Sequence, residues 1–411
     1  MHEEMVKSII VRVYEKILFQ INVTANWGAN GRIAEEIGRR AMANGWESYI
    51  AYGRYMNPSD SKLIKIGTQW DVYAHYAQQR IFDNEGLCSQ KATRTLIQQI
   101  KEIEPDVVQL HDIHDHYLNY RLLFEYLNST GIPIVWTFHD CWAITGHCFH
   151  FVTKNCNRWK TGCYDCPLKH SYPNTLFDAS RKNWNLKKML FNGCNNLTIV
   201  ACSDWIAQFV GESFLKDKRL KVIKNGINLS IFQPRIEEQS NGKFKVLAVS
   251  NVWHANKGYD DLFKLRTILP EEYELIVVGV SASQQKKLPL GIRGIRRTQN
   301  VDELVKLYSS ANVLINPTYA DTFPTINLEA LACGTPVVTY RTGGSPEAID
   351  SNTGIIVEQG DVAAMASAVV TICNKGKEAF SSVCRQRAIQ YFNKDERFED
   401  YIKLYDELLL A

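Results

Sequence analysis

Short apolar runs alternate with amphipathic stretches along most of the chain. In the first half, residues 16–23 (KILFQINV), 49–52, 106–110 (DVVQL) and 134–138 (IVWTF) read as buried strands, because four to eight apolar or β-branched residues stand between turn signals. Residues 32–43, 70–81 and 92–103 carry apolar positions at helical spacing and predict helices between those strands. A helix over 180–191, a strand over 197–202, a helix over 204–214 and a strand over 220–223 follow. The alternation then restarts, with strands at 244–250, 275–279 and 311–316 and a short strand and basic turn at 291–297. Helices are predicted from Tyr259, over 301–310 behind an Asn300 cap, and over 361–374, 378–391 and 394–410. Residues 1–15 read as a helical extension or a loose end. Strands alternating with helices predict parallel sheets in an α/β fold, where ligands gather beyond the carboxyl ends of the strands.

The polar, turn-rich segment from Asn225 to Gly242 interrupts this pattern and marks a domain boundary. The expected division is 1–228 for the first domain, 229–393 for the second and 394–411 for a last helix. A chain of 411 residues is long enough for two full cores. Hydrophobic content of 45% and charged content of 22% fit a globular chain, and a net charge of +3 gives no bulk argument for nucleic acid as a partner. No apolar run approaches the roughly 20 residues of a membrane span. The start MHEEMVKSIIVRVYEK lacks a basic end followed by an unbroken apolar core, so a cytoplasmic chain is expected. There, the sequons at Asn22, Asn196 and Asn228 are irrelevant, and the eleven cysteines are expected as thiols or metal ligands rather than disulfides.

One stretch concentrates the candidate chemistry: residues 321–344, DTFPTINLEALACGTPVVTYRTGG. Asp321 and Glu329 stand eight positions apart around Phe323-Pro324-Thr325, where a loop turns into a helix, and Val337–Tyr340 reads as the next strand. The first N–H groups of a helix lack internal partners and the dipole is positive there, so this corner suits an anion, with Glu329 further in for sugar hydroxyls. Its other reading is an ordinary βαβ corner in which Asp321 caps the helix and Glu329 is solvated. Lys257, at the end of a strand-to-helix loop, can meet a phosphate as a point charge. In the first half, Gly28 and Gly31 follow the first strand and Arg32 opens its helix; this is either a loop that lets a ligand approach or a simple tight turn. His111, Asp112, His114, Asp115, His116, His139 and Asp140 all follow strand ends, His139 directly.

Two further features are ambiguous. The insertion 141–167 offers four thiols, Cys148, Cys156, Cys163 and Cys166, the last two as CxxC. They are either ligands of a structural zinc that would stabilise a long loop without a core, or reduced and metal-free. The helix over 180–191 carries Arg181, Lys182, Lys187 and Lys188; it is either a basic amphipathic helix for an anionic membrane or a surface helix with an ordinary buried face.

Taken together, these motifs resemble the GT-B glycosyltransferases, and most closely the retaining enzymes of family 4. Asp321 and Glu329 have the spacing of that family's E-x7-E signature, with Asp in the first place; LEALACGTPVV and NGINLSIFQP resemble its helix-and-strand block and inter-domain motif. HDCWAITGHC with the trailing cysteines resembles the colanic-acid and exopolysaccharide branch. The resemblance implies two Rossmann-like domains facing across a cleft, the last helix crossing back to the first. It implies that Glu329 binds the ribose, that Asp321 faces the transferred sugar, and that Thr325, Ile326 and Asn327 offer backbone N–H groups to the distal phosphate and sugar. Lys257 matches the family's phosphate lysine; Asn251 or Asn256 stands where its arginine partner is usual, with Arg32 or Arg296 left to compensate. Ile295 and Arg296 match the backbone that meets the nucleobase, Gly28 and Gly31 the loop approaching the diphosphate, and His139 the histidine near the sugar.

The activity so implied is transfer of a sugar from a UDP- or GDP-sugar to a glycan or polyprenyl-linked saccharide, with retention and without a catalytic cofactor, at the inner face of the cytoplasmic membrane through peripheral contact. The absence of a DxD motif outside the helix start at Asp260-Asp261 agrees with metal independence. The competing readings are a sugar-nucleotide epimerase or hydrolase of the same fold, and a non-catalytic sugar-nucleotide-binding protein.

Overall fold

The structure is a computed structural model that describes residues 16–235 and 242–410; the 1–15 lead-in and most of the 234–242 segment fall outside them. The elements of the first half are β1 (Ile17–Asn22), α1 (Gly28–Ala43), β2 (Glu47–Tyr52), β3 (Lys62–Lys65), α2 (Gln69–Phe82), α3 (Gln90–Ile103), β4 (Val107–Leu110), α4 (Tyr120–Leu127), β5 (Ile134–Phe138), α5 (Ser180–Asn192), β6 (Leu197–Ala201), α6 (Asp204–Glu212) and β7 (Arg219–Val222). Those of the second are β8 (Phe244–Val249), α7 (Tyr259–Ile268), β9 (Tyr273–Val278), α8 (Ala282–Gln285), β10 (Ile292–Ile295), α9 (Val301–Ser310), β11 (Val313–Asn316), α10 (Thr325–Ala332), β12 (Val337–Tyr340), β13 (Gly354–Val357), α11 (Val362–Lys375), α12 (Glu378–Phe392) and α13 (Lys394–Leu409).

The strands form two sheets, ordered β3-β2-β1-β4-β5-β6-β7 and β10-β9-β8-β11-β12-β13. The registers across β1, β2, β3, β4 and β5, and throughout the second sheet, are parallel. Central strands are buried on both faces, which is why they read as unbroken apolar runs: Val246, Leu247, Val313, Leu314, Val337 and Val338 are fully buried. The strand order reverses between β1 and β4 and again between β8 and β11, so each sheet has a switch point where the flanking loops diverge.

Four elements were not expected: β3, α4, α8 and β13. β3 lies at a sheet edge with its two lysines exposed, so the alternation that marks a strand is blurred. β13 begins on Gly354, which a strand pattern disfavours, and is held by pairing with β12.

The chain divides into two compact units. One comprises the described residues up to Thr137, Tyr164–Val200 and the residues from Glu399 on; the other comprises Phe138–Cys163 and Ala201–Phe398. Helix α13 starts in the second unit, where Lys394 N–H donates to Ile227 O at 3.1 Å. It ends in the first, where Tyr405 Oη donates to Gln109 Oε1 at 2.9 Å and Tyr401 Oη lies 3.1 Å from Thr137 Oγ1. The apolar face of α5 packs inside the first unit: Phe191 lies 4.6 Å from Phe124 and 4.9 Å from Trp136, ring centre to ring centre. The cysteine-rich insertion, expected to lack a core, has one in the second unit. Phe151 stacks on Trp159 at 4.8 Å, and both rings meet Phe209 of α6.

Candidate active site

Strand β11 ends at Asn316, and the chain turns through 317–324 into α10, whose N-cap is Pro324. No side chain caps this helix, and its first turn holds no acid. Among the described residues nothing accepts from the N–H groups of Thr325 and Ile326, which leaves a positive helix end with two donors. The third expected donor is occupied: Asn327 N–H bonds Pro324 O at 3.2 Å, because the first turn tightens. Asn327 serves through its side chain. Its Nδ2 donates to Ser345 Oγ at 3.0 Å, and its Oδ1 accepts from Asn316 Nδ2 at 3.0 Å. Thr339 Oγ1, 2.6 Å from Ser345 Oγ, completes a buried polar knot that ties α10 to β11, β12 and the turn after β12.

The two acids sit in different surroundings. Glu329 is buried on α10, and its Oε2 accepts from Tyr308 Oη at 2.7 Å. Tyr308 is fully buried; burial first, and then the Glu329 carboxylate, raise its hydroxyl far above the ordinary range, so it stays a donor. Asp321 caps nothing. Its Oδ2 lies 2.6 Å from Lys257 Nζ. The lysine and acid singled out separately by the sequence are therefore one ion pair at the mouths of the loops after β8 and β11, the switch point of the second sheet. His254 stands three residues before Lys257; burial, then the lysine charge, lower its pKa and favour the neutral ring.

Close backbone contacts hold these loops. Gly258 has φ +74°, and a Cβ there would meet Pro317 O at 2.1 Å. Tyr319 N–H donates to Asn256 O at 2.8 Å, so Asn256 braces the loop through its carbonyl. Tyr319 and Tyr340 both donate to the buried Asp261, at 2.7 and 2.9 Å. Gly343, φ +55°, brings the turn after β12 onto Asp321, where a Cβ would lie 1.6 Å from its carbonyl. Thr322 Oγ1 donates to the carbonyl of the buried His139 at 2.8 Å, which fixes His139 beside the 317–324 loop. Glu347 accepts from the α6 N–H groups of Asp204 and Trp205 at 3.0 and 2.8 Å, and Lys224 pairs with Glu347 at 2.9 Å. Ile295 ends β10 with its carbonyl accepting from Gly279 N–H at 2.8 Å, and Arg296 beyond it is exposed.

In the first unit, Gly28 opens α1 at φ +68°, with open space where a Cβ would stand. The N-cap Trp27 makes no side-chain cap bond, so this helix end also offers N–H groups, next to the exposed Arg32. Gly31 has another role: a Cβ there would lie 2.6 Å from Thr24 Oγ1, so the glycine lets α1 pack on the loop before it. Asn30 Nδ2 donates to Asp112 Oδ2 at 2.6 Å and ties the first turn of α1 to the loop after β4. His111 is structural, 3.1 Å from Gln20 Oε1. His116 lies in a buried charged cluster, 2.8 Å from Glu85 and 3.5 Å from Asp115, and Arg54 pairs with Asp115 at 2.7 Å.

A family model described as "Glycosyltransferase Family 4" matches residues 31–231, and one described as "Glycosyl transferases group 1" matches residues 243–375. The chain is 24% identical, over 95% of its length and all of the relative's, to a putative colanic acid biosynthesis glycosyl transferase, WcaC, of Escherichia coli K12. Its fold is similar to that of a sucrose-phosphate synthase from Thermosynechococcus elongatus, with TM-score 0.71 and 15% identity over 96% of this chain and 100% of that one. It is also similar to Anabaena HepE in complex with UDP and glucose, with TM-score 0.64 and 14% identity over 96% and 100% of the two chains. The chain carries the two domains of a GT-B glycosyltransferase.

Within this glycosyltransferase, sequence reasoning missed the residues that orient the candidate site. Tyr308, Asn316, Thr339 and Ser345 carry no motif; the weak signals are a polar residue at or next to the end of each of two apolar strands and a serine after a glycine pair. Of the insertion's thiols, Cys148 is buried and Cys156, Cys163 and Cys166 are half-buried. No disulfide joins any of the eleven cysteines of the glycosyltransferase. Cys163 Sγ accepts from Gly146 N–H at 3.2 Å, and Asp165, within the CxxC, has φ +43°.

Proposed function

We propose that this glycosyltransferase moves a sugar, with retention of configuration, from a UDP- or GDP-sugar to a glycan or polyprenyl-linked saccharide in the synthesis of a bacterial surface polysaccharide. The observation that carries the reading is the second unit's switch point: the open N-terminus of α10, the Lys257–Asp321 pair and the Glu329 carboxylate lie on the loop and helix after β11 and the loop after β8. Thr325 and Ile326 N–H groups suit the distal phosphate, and Lys257 neutralises charge as the diphosphate leaves. Glu329, whose Oε2 accepts from Tyr308, binds the ribose. Binding of the diphosphate draws Lys257 away from Asp321, which turns the aspartate to the sugar. The departing phosphate accepts the proton of the attacking hydroxyl on the same face, His139 positions the sugar, and no catalytic metal is needed. The UDP and glucose named in the HepE complex and the colanic acid named for WcaC support the donor and product classes.

The test is thermal unfolding with a panel of UDP- and GDP-sugars, followed by transfer to a glycolipid extract. One donor is expected to raise the melting temperature. Lys257→Ala and Glu329→Ala are each expected to lose that protection and at least about a hundredfold in rate, with the fold intact. Wild-type turnover in both variants sinks the site. Donor consumption without acceptor supports a hydrolase or epimerase instead, and binding without any turnover supports a non-catalytic protein. The structural zinc at Cys148, Cys156, Cys163 and Cys166 is a proposal from the sequence, tested by metal analysis: near-stoichiometric zinc is expected, and its absence removes it.

A further inference from the structure

Helix α2 is turned inside out. Its buried positions are Val72, His75 and Gln79, two of them polar, whereas Trp70 is 80% exposed, Tyr73 56% and Phe82 57%. Loops hydrogen-bond the polar side chains of the buried face: His75 Nδ1 lies 2.9 Å from Ser89 Oγ, His75 Nε2 accepts from Gly86 N–H at 3.1 Å, and Gln79 Nε2 donates to Pro173 O at 3.1 Å. The apolar side is left outward. On a helical projection Trp70, Tyr73, Ala77 and Ile81 fall on one stripe, and Trp70 touches Tyr73 at 5.9 Å.

A loop from another part of the chain extends the same surface. Leu176 N–H donates to Arg80 O at 2.9 Å and Phe177 N–H to Ile81 O at 3.2 Å, so the loop is clipped to the last turn of α2. Leu176 and Phe177 are each 63% exposed. The loop leads directly into α5, whose start is fastened to the C-cap of α2: Ala179 N–H donates to Asp83 Oδ2 at 2.9 Å. The exposed cations Arg181 and Lys182 stand there, at the rim of the apolar surface. The nearby acid Asp178 accepts from Cys166 and Ser180 N–H at 2.6 and 2.8 Å, and Asp71 is engaged by Thr68 in a capping box.

We infer that this surface, built from α2, the 172–177 loop and the first turn of α5, docks on the headgroup region of an anionic lipid bilayer. Trp, Tyr and Phe on one face with cations at the edge suit the membrane interface, where amphipathic rings seat at headgroup level and Lys and Arg meet anionic lipid. A protein partner does not require the cationic rim; a bilayer of negative headgroups does. Among the described residues no helix is long and apolar enough to cross a membrane. The inference rests on the proposed acceptor only for its biological sense, and its test uses no sugar nucleotide, so the two fail separately. It also moves the membrane face from α5, whose apolar side is buried in the first unit, to α2.

The experiment is flotation of the full chain with vesicles of phosphatidylcholine, with and without phosphatidylglycerol. Wild type is expected to float with the phosphatidylglycerol vesicles. Trp70→Glu with Phe177→Glu is expected to weaken binding about tenfold or more on both vesicle types. Arg181→Glu with Lys182→Glu is expected to weaken it roughly tenfold or more on phosphatidylglycerol only. All these positions are exposed, so melting temperatures stay near wild type, which checks folding. Wild type that stays with the soluble fraction overturns the inference, as do variants that float like wild type. So does a wild-type dimer that Trp70→Glu with Phe177→Glu makes monomeric while vesicle binding persists, since the face then belongs to a second copy.

Discussion

The Lys257–Asp321 pair sets the two acids of the motif apart. A motif read along the sequence treats Asp321 and Glu329 as equivalent acids at a fixed spacing. In the structure one is neutralised by a lysine at 2.6 Å and the other is held by a buried tyrosine at 2.7 Å. Tyr308→Phe tests this directly. Removing the hydroxyl leaves Glu329 buried with one donor fewer, which is expected to destabilise the chain by about 1–3 kcal/mol. The donor-induced melting shift is expected to shrink in the same variant; an unchanged shift counts against the orienting role. The His116 cluster gives a second expectation at this scale. Burial pulls the His116 imidazolium down, but the Asp115 and Glu85 carboxylates overcome it and hold its pKa at about 9. A raised folded-state pKa means stability that is full below the unfolded value of about 6.5 and lost as pH climbs towards 9. Urea denaturation at pH 6.5 and pH 9 should show that loss, and His116→Gln should flatten it. His75 works in the other direction: burial lowers it to about 4, so its contribution is lost as pH falls from about 6.5.

At the scale of elements, the loop after β8 and the loop after β11 are fixed by contacts that exclude a side chain. Gly258→Ala places a Cβ 2.1 Å from Pro317 O at φ +74°, so it is expected to destabilise by about 2–4 kcal/mol and to abolish donor protection. Denaturation curves and donor-induced melting shifts check both halves of that statement. Helix existence was legible here and helix orientation was not. The periodicity of 70–81 gave α2 to within a residue at each end, yet which face is buried depends on Gly86, Ser89 and Pro173, which reach the helix from loops. The same limit applies to Asn327: its place at a helix start was legible, but the tightened turn that occupies its N–H was not. The insertion shows a third form of the limit, since Phe151 and Trp159 find their partner in Phe209, some fifty residues away in sequence.

At the scale of the molecule, the chain crosses between its two units several times, and α13 begins in one and ends in the other. Within the first unit, Tyr405 is fully buried and bonds Gln109 at the centre of the sheet. Tyr405→Ala is therefore expected to destabilise that unit by about 3–5 kcal/mol, seen as an early transition in a thermal melt, while donor protection of the second unit persists. A single unshifted transition would show that the last helix adds little to the first unit. The sequence had placed one boundary near 228; the contact pattern instead assigns 138–163 and 201–228 to the second unit, because chain order does not report which strand ends and loops pack together.

By itself the sequence determined the α/β alternation and most strands and helices to within one or two residues, and it marked the stretch 321–344 and Lys257 as candidate chemistry. It could do so because buried parallel strands are unbroken apolar runs and helix starts have local signals. Only the tertiary structure decided that Lys257 and Asp321 are one pair, that Tyr308 and the Asn316–Asn327–Thr339–Ser345 knot orient the helix, and that α2 shows its apolar side to the outside. Those facts depend on contacts between residues 6 to 64 positions apart, or on which face a helix presents, and neither leaves a periodic trace in the sequence.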